Sequence, residues 1–293
     1  MRWRDATIGA IARGASFPGV IMAARLLATK RVEKPWGSHR LWPGFADPAA
    51  DALPVGEIWF DGGEDADLLI KYLFTSEKLS VQNHPDDAAA VARGLPRGKD
   101  ECWLILAAEP CATIAVGPKA PVTADALRAA ALDGSIEVLL DWKPVKAGDF
   151  IYSHAGVIHA IGAGLTLIEV QQNSDTTYRL YDYGRPRELH LEDGIAVAEL
   201  TPYVAPTAPG EVEPGRAILV EGPKFVLERW TSGRRDVALG DRQHGWLVAV
   251  SGAGRAGDTG FAAGQCVLLS GEETVEVDPG GDILFAYPGA QRR

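Results

Sequence analysis

Cysteine is scarce in this sequence, and so is uninterrupted hydrophobic length. Three cysteines, Cys102, Cys111 and Cys266, form an odd and unpatterned set. They exclude a disulfide framework and fit a reducing, cytoplasmic compartment. Positive charge is also in short supply. Against 39 acids stand 29 lysines and arginines, so the net charge is −10 and the pI about 5.1. That balance argues against nucleic-acid partners and against binding to anionic membranes. An anionic substrate would need a local basic pocket. One uncharged stretch, Phe150 to Ile168, has the length of a membrane span. It contains His154, His159 and several glycines, so it reads as strand–turn–strand. There is no internal repeat and no low-complexity tract.

What is present is the composition of a globular protein, 46% hydrophobic and 23% charged. The opening "MRWRDATIGAIARGASFPGVIMAARLL" loosely resembles a signal peptide. Arg13 interrupts its apolar stretch, however, and no clean small-residue cleavage site follows. Met22 is the only other methionine, which suggests a mis-assigned start at Met1. Residues 1–29 are therefore expected to lie outside the fold. The rest reads mostly as short strands rich in β-branched and aromatic residues, such as "EIWFDG", "DLLIKYLF", "ECWLILA" and "LTLIEVQQ", punctuated by Gly, Pro, Asp and Asn. Two helices are predicted. "PDDAAAVARG" has Pro85 at its first position, two acids in its first turn and Gly94 as a stop; "TADALRAAALDG" has Thr123 as cap and Gly134 beyond its end. "TPYVAPTAPGEVEPG" (201–215) reads as a linker, with further strands after it. Many short strands with Gly-rich turns predict a mainly β fold of jelly-roll sandwiches or barrels.

Three stretches carry chemistry. In "LSVQNHPDD", strand alternation puts Ser80, Gln82 and His84 on one face. That is a poor core and a reasonable polar wall. Asp86 and Asp87 read as helix N-terminal charges rather than ligands. In "GKDECWLIL", Lys99, Glu101 and Trp103 share a face, and a carboxylate beside so apolar a run needs a partner. In "VKAGDFIYSHAGVIHAIGAG", Gly148, Gly156 and His159 match a Gly-x5-Pro-x-Gly-x2-His pattern, with His154 in the proline position. Here the chain resembles the cupin superfamily, in which that last histidine is a metal ligand. Joined across strands, Gln82, His84, Glu101 and His159 offer two imidazoles, a carboxylate and an amide oxygen, a set suited to Zn²⁺. Without Gln82 the set also suits Fe(II).

"IEVQQNSDTTYRLYDYGR" adds Glu169, ten residues after His159, and Arg179, ten further on. Together with "VEKPWGSHRL", these motifs resemble the type I mannose-6-phosphate isomerases in their short bacterial form, over roughly residues 30 to 290. The resemblance implies two cupin-like domains with a small helical insertion. Residues 30–205 would be the catalytic metal-binding domain and 216–293 a cupin-like β domain without metal, covering the first. It implies one zinc ion on Gln82, His84, Glu101 and His159, and a catalytic role for Arg179. It also implies interconversion of mannose 6-phosphate and fructose 6-phosphate, with a small sugar phosphate as partner; separately from the resemblance, the chain is expected to be a monomer.

The chemistry itself sets further expectations. A proton must move between two carbons through a cis-enediol, so one base must reach both. Glu169, at the end of an apolar run, and Lys99, beside a metal and another cation, are both suited. Ser80 and Lys71 are the first choice for the phosphate, with Arg185 and Arg187 the second. A lysine placed as Lys71 is usually solvated on the wet face of a sheet. Trp36, Trp103, Tyr178 and Tyr181 are more often core residues than sugar platforms. An Fe(II) oxygenase and a non-catalytic sugar-binding cupin are the alternatives. Iron cupins usually carry the pattern HxH with the acid a few residues later, unlike this chain.

Overall fold

The computed structural model describes residues 24–42, 44–240 and 244–290. The chain runs β1 (Ala24–Leu26), β2 (Thr29–Ser38), β3 (Val55–Phe60), β4 (Leu68–Thr75), β5 (Val81–Asn83), α1 (Asp87–Ala92), β6 (Glu101–Ala108) and β7 (Thr113–Pro118). It continues through α2 (Ala124–Asp133), α3 (Ile136–Leu139), β8 (Leu140–Pro144), β9 (Phe150–Ser153), β10 (His159–Ile161), β11 (Leu165–Gln172), β12 (Tyr178–Tyr181) and α4 (Leu191–Val197). The remainder is all strand: β13 (Gly210–Glu213), β14 (Arg216–Glu221), β15 (Phe225–Trp230), β16 (Gly233–Ala238), β17 (Gly245–Ser251), β18 (Ala253–Ala256), β19 (Thr259–Ala262), β20 (Cys266–Leu269), β21 (Glu272–Val277) and β22 (Asp282–Pro288). No described helix is long and apolar enough to cross a membrane.

The strands form four antiparallel sheets arranged as two facing pairs. The first pair joins a five-stranded sheet (β12-β5-β10-β7-β8) to a six-stranded one (β2-β3-β4-β11-β6-β9). The second joins a seven-stranded sheet (β1-β20-β17-β22-β15-β14-β13) to a four-stranded one (β16-β21-β18-β19). This is the mainly β, cupin-like architecture that the strand pattern predicts. Strand alternation explains the layering. In β4, Leu68, Ile70, Tyr72 and Phe74 face one way; with Cys102, Leu104, Ile168 and Val170 they pack on Phe225, Leu227, Trp246, Val248 and Leu284 of the seven-stranded sheet. Each such buried large side chain contributes about 1.5–3 kcal/mol. The opposite face of the same strands looks into the first pair. There Leu73, Trp103, Ile105, Leu165 and Leu167 build an apolar floor. Helices α2, α3 and α4 cover the outer face of the five-stranded sheet through Leu127, Ala131, Ile136 and Ile195.

Several boundaries differ from the sequence expectation. Residues 1–23, which hold the leader-like stretch and Met22, lie outside the described residues. Residues 24–29 belong to the fold, because β1 pairs with β20 and buries Ala24, while Leu27 enters the layer between the sheet pairs. Their apolar character serves a sheet edge rather than a leader. The supposed linker contains β13, paired with β14. The first helix starts two residues later than predicted. Asp86, not Pro85, marks its start, and the Asp86 side chain caps the Ala89 amide at 2.7 Å. Thr123 and Gly134 cap α2 as expected, with Gly134 at φ +83°.

Candidate active site

Register brings the distant motifs together. In the five-stranded sheet, Arg179, Gln82 and His159 sit side by side across β12, β5 and β10. In the six-stranded sheet, Trp59, Lys71, Glu169 and Trp103 form one row across β3, β4, β11 and β6. Gln171 pairs with Glu101 in the row beside it. All point away from the apolar layer between the sheet pairs, so the two rows face each other.

At the centre, Glu101 Oε1 lies 3.0 Å from His159 Nε2 and 3.3 Å from His84 Nε2. The three donor atoms fall within 4.8 Å of one another, and each residue is buried. Two ligands of a tetrahedral ion at about 2.0–2.1 Å stand about 3.3 Å apart, so this spacing fits a shared metal. The outer ring nitrogens are anchored. His84 Nδ1 meets the Thr176 carbonyl at 2.8 Å and His159 Nδ1 the Val157 carbonyl at 3.0 Å. A proton donated there leaves each Nε2 lone pair turned to the centre. Burial, helped by the Lys99 ammonium, pushes His84 down to about 4, which keeps it neutral at neutral pH. Burial alone would raise Glu101. The charge of Lys99 and the contacts with His84 and His159 outweigh it and hold the carboxyl well below its usual range. Glu101 Oε2 forms a buried ion pair with Lys99 Nζ at 2.6 Å. Lys99 Nζ also stands 3.3 Å from His84 Nε2, so its ammonium borders the donor set on the cavity side.

The remaining predicted residues gather around a cavity of about 240 Å³, whose lining includes Ser80, Gln82, Lys71, Lys99, Glu169 and Arg179. Gln82 turns its Nε2 to His159 Nε2 at 3.3 Å, and its Oε1 accepts from the Ser80 hydroxyl at 3.0 Å. An amide flip would aim the oxygen at the centre. As placed, the oxygen expected to be the fourth ligand points to Ser80. Burial would lower Lys99, but Glu101 and Glu169 outweigh it and raise the ammonium, the direction opposite to that wanted in a base. Glu169 has both oxygens engaged, by Lys71 Nζ at 3.1 Å and Trp103 Nε1 at 3.0 Å.

Lys71 departs from the solvated role expected of it. It is buried, and its ammonium reaches Glu169, Gln171 Oε1 at 2.6 Å and the face of Trp59 at 4.8 Å. Those contacts replace water, which is why a lysine is tolerated inside the sheet pair. Arg179 donates to the Glu188 carbonyl at 2.7 Å, while its buried Nε has no partner. Of the two loop arginines, Arg187 lines the cavity and Arg185 does not. Both are held by the buried Asp182. His154 stays outside the cavity, paired with Glu199 at 2.8 Å.

The sequence reasoning missed Glu57. It is buried, accepts from Trp59 Nε1 at 2.5 Å and lies 3.5 Å from Lys34 Nζ. Burial would raise its carboxyl, but Lys71 and Lys34 hold it low. The signal was available: an acid amid "VGEIWF", like Glu101 amid its own apolar run.

Fold and donor set together define a cupin whose first sheet pair carries a His–Glu–His centre of metal-binding type. The chain belongs to the mannose-6-phosphate isomerase family. It is 34% identical over 270 residues to the "Probable mannose-6-phosphate isomerase GmuF" of Bacillus subtilis, covering 85% of this chain and 80% of that protein. The mannose-6-phosphate isomerase of Streptococcus mutans is 40% identical over 171 residues, covering 56% of this chain and 54% of that protein. The ManA enzyme of Bacillus subtilis is 43% identical over 145 residues, or 47% of this chain and 46% of that protein. The chain thus spans about half the length of these last two relatives. A crystal structure of the mannose 6-phosphate isomerase from Bacillus subtilis superposes with a TM-score of 0.77 at 26% identity, over 90% of this chain and 99% of that one. No protein-family model matches the chain.

Proposed function

We propose that this chain interconverts mannose 6-phosphate and fructose 6-phosphate with one zinc ion held by His84, Glu101 and His159. The observation that carries the reading is the convergence of those three donors behind the wall of a cavity lined by Gln82 and Lys99, which touch them, and by Glu169 and Arg179. When bound, the ion supplies Lewis-acid polarisation of the sugar oxygens. Two nitrogens and a carboxylate suit zinc, with the Gln82 amide available as a fourth donor after a flip. The cavity is smaller than the roughly 300–1,000 Å³ of drug-sized ligand sites, which favours one monosaccharide-sized molecule.

The chain's own residues divide the remaining work. The Arg179 guanidinium, with an unpartnered Nε, donates to the oxygen that gains charge as the C–H proton leaves. Glu169 or Lys99 moves that proton between C1 and C2. Glu169 is oriented by Lys71 and Trp103, and Lys71 is committed to that task rather than to phosphate. Ser80 and Arg187 are then the phosphate donors on the opposite wall. The acidic composition leaves this pocket as the local basic site an anionic substrate requires. The chain acts as a cytoplasmic monomer.

The test is isomerisation of mannose 6-phosphate by the purified chain before chelation, after it, and after zinc return. Loss and recovery are expected. Iron content with O₂-dependent turnover would point instead to the oxygenase reading, and bound metal without isomerisation to the non-catalytic one.

A further inference from the structure

Asp87, read from sequence as a helix N-terminal charge rather than a ligand, stands in the first turn of α1 and has further partners. Asp86 caps α1, while the Asp87 carboxylate finds its partners outside the helix. Its Oδ1 accepts from the Gly98 amide at 2.7 Å and from Gln172 Nε2 at 3.0 Å. Its Oδ2 accepts from Lys224 Nζ at 2.6 Å. Gly98 packs so closely that a Cβ there would lie 2.5–2.6 Å from the backbone of residues 85–87.

Two site-bearing segments meet at this carboxylate. One is the chain just after His84, where the Pro85 carbonyl accepts from the Lys99 amide at 3.0 Å. The other is Gly98–Asp100, which carries Lys99 and leads directly into Glu101. Gln172, at the end of β11, extends the junction by holding both the amide and the carbonyl of Asp100 at 3.0 Å. Lys224 comes from the β14–β15 turn of the second sheet pair. Both side chains of the bridge are mostly shielded, at 15% and 19% exposure, so the pair is worth more than a surface contact.

We infer that Lys224 is a positioning residue. Through Asp87, the C-terminal sheet pair sets the placement of His84 relative to Lys99 and Glu101. The second pair thereby tunes the metal centre rather than only covering the first. Outer supports of metal ligands commonly govern affinity by about 10–100-fold. This inference rests on the metal reading above.

The experiment measures zinc release to a colorimetric chelator from the full-length, zinc-loaded chain, alongside kcat and KM for mannose 6-phosphate. Lys224→Met keeps the aliphatic stem and removes the charge. It should release zinc about tenfold faster and lower kcat more than it changes KM, and Lys224→Arg should restore both. Asp87→Asn is the second variant, should the first fold poorly, and it should show the same effects. In the double variant the effects should not add, because both residues act through one contact. Arg229→Met breaks a salt bridge inside the second pair, with Asp282. It should lower stability without changing zinc release. If wild type holds zinc while Lys224→Met and Asp87→Asn release it at the wild-type rate, the strut is overturned and the metal reading survives. If wild type holds no zinc, both fall.

Discussion

Glu101 and Glu228 are both carboxylates buried to about 1% exposure inside a sheet pair, yet their surroundings are opposite. Glu228 receives four donors. Arg216 Nε and Nη2 reach it at 2.6 and 2.8 Å, Trp230 Nε1 at 2.7 Å and the Tyr287 hydroxyl at 2.9 Å. Its capacity is exhausted. Glu101 pairs one oxygen with the Lys99 ammonium, while the other meets two imidazole nitrogens whose lone pairs converge with it. Cavity size points the wrong way. The space beside Glu228 is about 490 Å³, roughly twice that beside Lys99 and Glu169. Arg235, in the wall of the larger space, is itself committed to Glu213, the Ser232 carbonyl and the face of Trp230. Spare coordination capacity, rather than volume, separates the site from a hole in the packing.

That contrast can be attacked directly. The largest effect is expected from Glu101→Ala, which should bring zinc content by metal analysis close to zero and abolish isomerisation with it. Arg179→Ala should lower kcat about 10²–10³-fold with zinc content unchanged. Equal loss of metal would place Arg179 among the supports of the centre instead. Glu228→Ala should cost about 3–4 kcal/mol in denaturant unfolding, since it strands Arg216 and the buried Trp230 N–H, and should leave kcat/KM within about twofold. A large fall in activity there would erase the distinction between the two pairs.

The smallest expected effect concerns pH. In the metal-free chain, the unfolded His84 takes up a proton near its ordinary value of 6.5, whereas the folded residue does so only at about 4. Between those values the unfolded state holds more protons. Stability is therefore full above about 6.5 and declines as pH falls toward 4, by up to about 3 kcal/mol. Glu228 is also held low, where the bonds from Arg216, Trp230 and Tyr287 outweigh burial that would raise it. Its contribution is present above the usual carboxylate value of 4.5 and is lost only below it. Melting temperature followed from pH 7 to 4 should thus slope in the metal-free chain and flatten in His84→Gln, while Glu228→Gln should keep the slope.

Much of this was legible in the sequence because the site depends on fixed spacing within strands. Gln82 and His84 share a face by alternation, and so do Glu101 and Trp103. The long apolar strands β4, β6, β11 and β17 announced themselves through composition. The short strands β16, β18 and β19 did not: they are half exposed and carry glycine or charge, so burial rather than propensity holds them in place. Helix α4 was invisible because Gly194 interrupts it and no side chain caps its start. The inward turn of Lys71 could not be read locally, since its partners Glu169 and Gln171 stand about a hundred residues away. Strand β1 was obscured by the leader-like residues before it.

That first strand has one more consequence. β1 takes its place only against β20, near the opposite end of the described chain. On the ribosome, Ala24–Leu26 would wait until β20 had been made before finding a partner. Contacts this distant close slowly. β20 would therefore fasten β1 late, and a nascent chain halted after β12 would leave β1 unpaired.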